Sequence, residues 1–414
     1  MAGADGSGFG IEHLPYGVIR RPHGAPTVAV RIGEQALDLA ALSDAGLLAV
    51  PGLSPEALSA TALNRFLELG PGVWSATRSR LVELLDAAGE GARDIGALDE
   101  CALVPLAEVE VVLPVAVGDY VDFYSSLEHA TNLGRIMRPD GDPLLPNWRH
   151  LPVAYHGRAG SIVVTGTQVR RPTGQRAPQA PTEGPSFGPE RQLDFELELG
   201  FLTGGGSAGA RVPARAAGEH IFGVLLVNDW SAREIQRWEA QPLGPFLGKS
   251  FATSIAAWVT PLDALAAHRA QGPRQDPPPL PYLRTDEPWA FDIELEVAMV
   301  PAGSRDEVTI THANARELYW NAAQQLAHAT SGGVAPRAGD LFASGTISGA
   351  EPGSYGSLIE LSWGGTRPLG LDGSATRTFL EDGDTVIMRG VAGGGDRPRL
   401  ELGEVRGTVV GAGT

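Results

Sequence analysis

Leu193-Asp194-Phe195-Glu196-Leu197-Glu198-Leu199 alternates apolar and acidic residues without a break. In an extended strand, residues two apart share a face. The leucines and Phe195 therefore line one side, and Asp194, Glu196 and Glu198 the other. Two fates are open to the acidic side. Facing water, it is an ordinary solvated strand face. Buried, its carboxylates repel one another and resist ionisation unless a cation sits among them, which would make it one wall of an oxygen-rich metal site. Alternation alone favours the solvated face, because Phe291-Asp292-Ile293-Glu294-Leu295-Glu296-Val297 repeats the pattern. The surroundings must decide.

Strand-like runs recur around this stretch, at 161–164, 221–227, 290–300, 359–363, 385–388 and 405–410, separated by Gly/Pro-rich loops at 172–189 and 273–281. Two helices stand out: one opening on the capping box Ser231-Ala232-Arg233-Glu234, the other over about 312–328. This pattern predicts a mainly β (α+β) domain, a sandwich or roll. Upstream, Pro15-Tyr16-Gly17 reads as a turn, 28–32 and 36–39 as a strand pair, and 55–66 and 79–88 as helices. The texture changes near Pro114, so the predicted domains are residues 1–114 and 115–414.

Composition narrows the function classes. A formal charge of -17 argues against non-specific nucleic-acid binding, which needs clustered Lys and Arg. Glycine (54) and proline (32) favour turns and short strands over long helices. The lone Cys101 excludes an intrachain disulfide and a thiolate zinc site, and reads as a small buried hydrophobe. The first ten residues lack a basic and apolar leader, and the apolar run at 221–227 is too short to span a bilayer, so the expected location is the cytoplasm. Gly205-Gly206-Ser207-Ala208-Gly209 matches a hydrolase elbow pattern but reads as a hairpin loop, because Pro213 follows it closely.

Several short segments carry chemistry. Asp119 to Ser126 is too polar for a buried strand and too aromatic for an ordinary loop, and His129, Asn132 and Arg138 follow it; together they suggest a site loop. Asp229 stands where a strand hands over to a helix, where it either caps that helix or faces a site. Arg233 and Gln236 share a helix face. Lys249 sits in a tight turn among apolar neighbours, snorkelling to water or aimed at an anion. The loop 343–349 is built of small residues whose amides suit an oxyanion, or form only a turn. Glu360, read in a strand between Ile359 and Leu361, is either solvated or held against a partner such as His129.

Residues 122–126, 129–132, 145–148, 155–158, 194–198, 228–233, 244–250 and 343–349 closely resemble the fumarylacetoacetase family, in order, and the likeness runs from about Phe9 to the C-terminus. The resemblance implies a small N-terminal SH3-like barrel domain and a larger mixed β-roll/β-sandwich catalytic domain, assembled as a homodimer. It implies a divalent cation, Ca2+ or Mg2+, held by Asp122, Glu196, Glu198 and Asp229, four hard oxygen donors of the kind such ions take. A second structural cation would border Lys249 and Thr253. The implied reaction is hydrolysis of a carbon–carbon bond beside a ketone in a small β-diketo acid. His129 is the expected general base, oriented by Glu360, with Arg233, Gln236 and Lys249 assisting where charge develops. Tyr124, Arg138, Tyr155, Gln236, Gly345 and Thr346 are the expected substrate contacts. One departure stands out: where the family commonly places a substrate-binding tyrosine, this chain has Ala240. The rival readings are a hydrolase, decarboxylase or hydratase of another acylpyruvate or β-diketone, and a metal-stabilised binding protein without catalysis.

Overall fold

Ile221–Asp229 is buried at every position, as a continuous apolar run covered on both faces must be. In the computed structural model of the chain, which describes residues 8–86, 102–205, 211–371 and 375–413, this strand is the spine of an eight-stranded mixed sheet. Leu197–Thr203 pairs with one edge of it and Thr253–Ile255 with the other, both antiparallel. Beyond Leu197–Thr203 lie Leu341–Ala343, Tyr120–Phe123 and Ala154–Gly157; beyond Thr253–Ile255 lies Ile162–Val164. A second sheet runs in the order Val308–Asn314, Ile293–Val300, Thr385–Gly394, Arg397–Val410, Val169–Arg170. The two sheets meet where glycine lets them. A Cβ at Gly407 would lie 2.5 Å from the Trp230 ring, and one at Gly390 would touch Leu226.

The N-terminal region is built on a five-stranded antiparallel sheet in the order Leu103–Pro105, Gln35–Asp38, Pro26–Ile32, Tyr16–Arg20, Glu110–Val112. It shares one hydrophobic core with the larger sheets. Tyr16 exchanges backbone hydrogen bonds with Val259, and its ring stacks on Phe66 and meets Phe222 edge-on. No helix among the described residues is long and apolar enough to cross a membrane.

The architecture is mainly β, as expected, but several local readings are corrected. The strand expected over 193–202 is two pieces, Leu193–Asp194 and Leu197–Thr203, broken at Phe195-Glu196. Tyr120–Phe123, judged too polar for a buried strand, is one, and is buried throughout. The helix expected over 312–328 is confined to Ala322–Ala329. The β-branched alternation of 308–311 continues as the strand Val308–Asn314, and Asn321 and Gln324 form the capping box that starts the helix. The helix read over 79–88 begins at Pro71, since proline suits a first helical position. Ser231 does not cap Arg233–Glu239. Glu190 takes that place, accepting from the amides of Glu234 at 3.2 Å and Ile235 at 3.0 Å. Glu360 lies in a short helix, Leu358–Leu361, not a strand; three residues are too few to show a period. The turn read at Pro15-Tyr16-Gly17 is replaced by the strand Tyr16–Arg20. Cys101 and residues 206–209 fall outside the described residues.

Candidate active site and metal centre

The sheet register carries four acids to one place. Asp122 lies beside Ala343, which lies beside Gly200 of the strand that carries Glu198. Asp229 ends the neighbouring strand, and Glu196 occupies the break before Leu197. One carboxylate oxygen from each of Asp122, Glu196, Glu198 and Asp229 lies within 4.8 Å of the others, and all four residues are buried. The acidic side of the opening stretch is therefore the buried one. Its look-alike behaves differently: Asp292 and Glu296 are half-buried and Glu294 is exposed, so there the solvated reading stands.

Two cations and a phenol brace this cluster. Lys249 Nζ donates to Glu196 Oε2 and Asp229 Oδ2, each at 2.6 Å. Arg233 reaches Glu196 Oε1 at 2.7 Å and, through Nε, Asp194 Oδ2 at 2.8 Å. Asp194 in turn accepts from the amides of Leu358 and Ile359. Tyr155 OH lies 2.8 Å from Asp122 Oδ2 and 2.6 Å from Asp229 Oδ2. A phenol has one proton, so one of these contacts requires a protonated carboxyl. Asp122 fits that role: burial, then Asp229, pushes its pKa well above the carboxylate range. Burial, then Asp122, does the same to Glu198. In Glu196 burial also opposes the charge, but Lys249 and Arg233 outweigh it and hold the carboxyl below its usual range.

Asp122 Oδ1 and Glu198 Oε1 are buried with no hydrogen-bond partner. Leaving such atoms bare is costly. A hard divalent cation held by four carboxylates would satisfy both, so the residues fit one. Lys249 and Thr253, expected beside a second cation, are otherwise engaged: Lys249 is a counter-ion, and Thr253 Oγ1 donates to Asp229 Oδ1 at 3.0 Å.

His129 sits in the first turn of Leu127–Met137, whose N-cap Ser126 accepts from its amide. Its Nδ1 lies 2.7 Å from Glu360 Oε2. Both side chains are buried. Glu360 also accepts from Asn132, Ser348 and Ser357. Burial opposes its ionisation, but His129 and these donors prevail and hold its pKa below the usual range. An ionised Glu360 fixes the proton on Nδ1 and leaves Nε2 as the basic nitrogen.

A cavity of about 340 Å3 is bordered by His129 of the pair and by Asp122 and Glu196 of the acids. His129, Glu196, Arg233, Gln236, Lys249 and Thr346 are on its wall, together with Tyr124 and Tyr155. Gln236 Oε1 and Thr346 Oγ1 are buried there without intramolecular partners. Two expected substrate contacts are placed differently. The Gly345 amide donates to Glu198 Oε2 at 3.1 Å. Arg138 is exposed, donates to the Pro143 carbonyl, and lines an adjoining chamber instead. Sequence reasoning missed the bracing roles of Asp194, Ser348 and Ser357. Asp194 was visible as the third acid of the opening stretch; the two serines carried no signal of their partner.

A mainly β scaffold with a buried carboxylate quartet that could hold a cation, beside a cavity that His129 lines, points to the class: a hydrolytic enzyme. The family described as fumarylacetoacetase N-terminal matches residues 12–114, and that described as fumarylacetoacetate (FAA) hydrolase C-terminal matches residues 120–410. The chain is 47% identical over 409 residues to the fumarylacetoacetase of Arabidopsis thaliana, covering 98% of this chain and 96% of that one. It is 47% identical over 413 residues to that of Rattus norvegicus, covering 99% and 98%. A solved fumarylacetoacetate hydrolase from psychrophilic Exiguobacterium antarcticum shares the fold, with a TM-score of 0.53 at 14% identity, over 96% of this chain and 99% of that one. The chain belongs to the fumarylacetoacetase family.

Proposed function

We propose that this protein hydrolyses 4-fumarylacetoacetate to fumarate and acetoacetate, a step of tyrosine and phenylalanine breakdown. The observation that carries this reading is His129, held by Glu360 at 2.7 Å, on the wall of the same cavity as Asp122 and Glu196 of the carboxylate quartet. Full-length similarity to fumarylacetoacetases supports the choice of substrate.

The chemistry needs a nucleophile made from water and a way to stabilise a carbon leaving group. His129 Nε2 takes a proton from water, which attacks the ketone carbon on the fumaryl side. The bond to the neighbouring carbon breaks, fumarate forms, and the proton returns to the acetoacetate carbon. Glu360 holds the imidazole in the required tautomer and stabilises its cation. Asp122, Glu196, Glu198 and Asp229 would hold Ca2+ or Mg2+, which supplies Lewis-acid stabilisation of the substrate's keto oxygens. Lys249 has a third N–H beyond the two given to Glu196 and Asp229, and Arg233 borders the same space; both offer positive charge as the enolate develops. Tyr124, Gln236 and Thr346, which border the cavity, would bind substrate oxygens. Tyr155 and Gly345 serve the carboxylates first, and Arg138 reaches substrate only through the adjoining chamber.

The same reading includes a division into residues 1–114 and 115–414, and a homodimer; family membership supports the dimer, and light scattering of the purified protein tests it. The decisive assay is the decay of fumarylacetoacetate absorbance with and without chelator, beside an acylpyruvate control. Fast, chelator-sensitive loss of fumarylacetoacetate is expected. Loss of the acylpyruvate alone would move the protein to another substrate, and loss of neither, with cation binding intact, would leave a binding protein.

A further inference from the structure

The reaction cavity does not end at its own wall. A larger chamber of about 550 Å3 adjoins it. The two share Leu133, Met137, Arg233 and Gln236. Helices Leu127–Met137 and Arg233–Glu239 form the sides of the outer chamber, and Ala240 and Gln241 lie on its wall where the second helix ends. Gln236 and Arg237 lie three and four residues after Arg233, and Ala240 lies four and three residues after them, so the four present neighbouring side chains along one helix surface. Gln236 borders both spaces; Ala240, one turn on, contributes only a methyl group beside it.

The charge on this wall is unusual for the molecule. The chain carries a formal charge of -17, yet the chamber is lined by Arg138, Arg233 and Arg237 and by no carboxylate. Arg233 is neutralised by Asp194 and Glu196. The other two are not: Arg138 donates to the Pro143 carbonyl, and Arg237 NH2 lies 3.3 Å from the neutral Gln192 Oε1. Among the described residues neither guanidinium pairs with an acid, and both are exposed. An open cationic chamber continuous with a reaction cavity suits the far end of an anionic substrate.

We propose that the outer chamber is an extended acyl subsite: Ala240 leaves it open to the reaction cavity, and Arg237 receives the terminal carboxylate of β-diketo acids whose acyl arm is longer than fumaryl. This rests on the hydrolase reading, since the arm is what hydrolysis releases as a dicarboxylic acid. Arg237 is a specificity residue here, remote from the bond that breaks.

The test separates the subsite from the chemistry. Binding of succinate, adipate and hexanoate to the cation-loaded protein is measured by calorimetry for the wild type, Ala240→Tyr, Ala240→Leu and Arg237→Gln. Turnover of fumarylacetoacetate and adipoylacetoacetate is measured alongside. The wild type is expected to bind adipate at least as tightly as succinate. A larger side chain at 240 should weaken adipate by about tenfold or more while leaving succinate within about threefold, since methylene-scale fit in a pocket discriminates on that order. Arg237→Gln should weaken adipate but not hexanoate, and does so without depending on how well the position-240 variants fold. Turnover of adipoylacetoacetate should follow the adipate pattern. Wild-type adipate binding ten times weaker than succinate, or equal effects of the variants on both diacids, would overturn the subsite. The expected adipate pattern without turnover of either diketo acid would keep the subsite and sink the hydrolase reading instead.

Discussion

His129 is surrounded by groups that prepare it and by none that replaces it. Its replacement by alanine should lower kcat/KM by about 10^2 to 10^4-fold, the range of a lost general base, with cation affinity and thermal midpoint near those of the wild type. A variant with near-normal turnover would remove His129 from the mechanism. Glu360 is buried with four side-chain donors, so Glu360→Gln should destabilise the fold by about 3 kcal/mol near neutral pH, the cost of breaking a buried pair. The pH dependence has a definite sign. Because the folded pKa of Glu360 is depressed, its contribution is fully present above the ordinary carboxylate value and is lost as pH falls through the folded one. Denaturant titrations of both proteins should therefore converge in acid; a gap that widens on acidification would refute the ionised pair. The identity of these two residues was legible in the sequence through the family resemblance. The serines that hold Glu360 were not: Ser348 and His129 are far apart in the chain, and only folding makes them neighbours.

At the scale of elements, the site is a meeting of strand ends, where burial and neighbouring carboxylates push the pKa values of Asp122 and Glu198 well above the usual carboxylate range. Cation binding must then displace protons, so affinity should fall as pH falls, and calorimetry in buffers of different ionisation enthalpy should show net proton release. A proton count of zero would argue that the quartet is already ionised. Chelation should lower the thermal midpoint, because a cation at 100 times its dissociation constant stabilises the native state by about 2.7 kcal/mol. The loop after Leu341–Ala343 depends on Gly345. At φ +75° its Cβ would lie 2.1 Å from the Phe123 carbonyl, and its amide serves Glu198. Gly345→Ala should cost more than about 2 kcal/mol in urea unfolding and weaken cation binding together. Element type was legible where the apolar run was long, as in Ile221–Asp229. It failed where tertiary packing overrode local character: Tyr120–Phe123 is buried despite Asp122, because the sheet and the segments packed on it cover the strand, with Tyr155 OH against Asp122 Oδ2.

Across the whole molecule, the N-terminal sheet and the catalytic sheets share one core rather than touching at a surface. Phe222 of the central strand receives Tyr16, Phe66 and Trp74, with ring centroids 5.3, 5.8 and 5.3 Å away. Phe222→Ala should cost about 3 to 5 kcal/mol and lower a single calorimetric transition; two separated transitions in the wild type would show that the regions melt independently. The sequence alone determined the mainly β class, the likeness to the fumarylacetoacetase family and the four acids that the likeness singles out, because these follow from local periodicity and from the order of motifs along the chain. Only the tertiary structure decided which of two equally alternating acidic strands is buried. Burial depends on what covers a face, and Lys249, Arg233 and Tyr155 reach Glu196, Asp122 and Asp229 from segments that no local pattern connects.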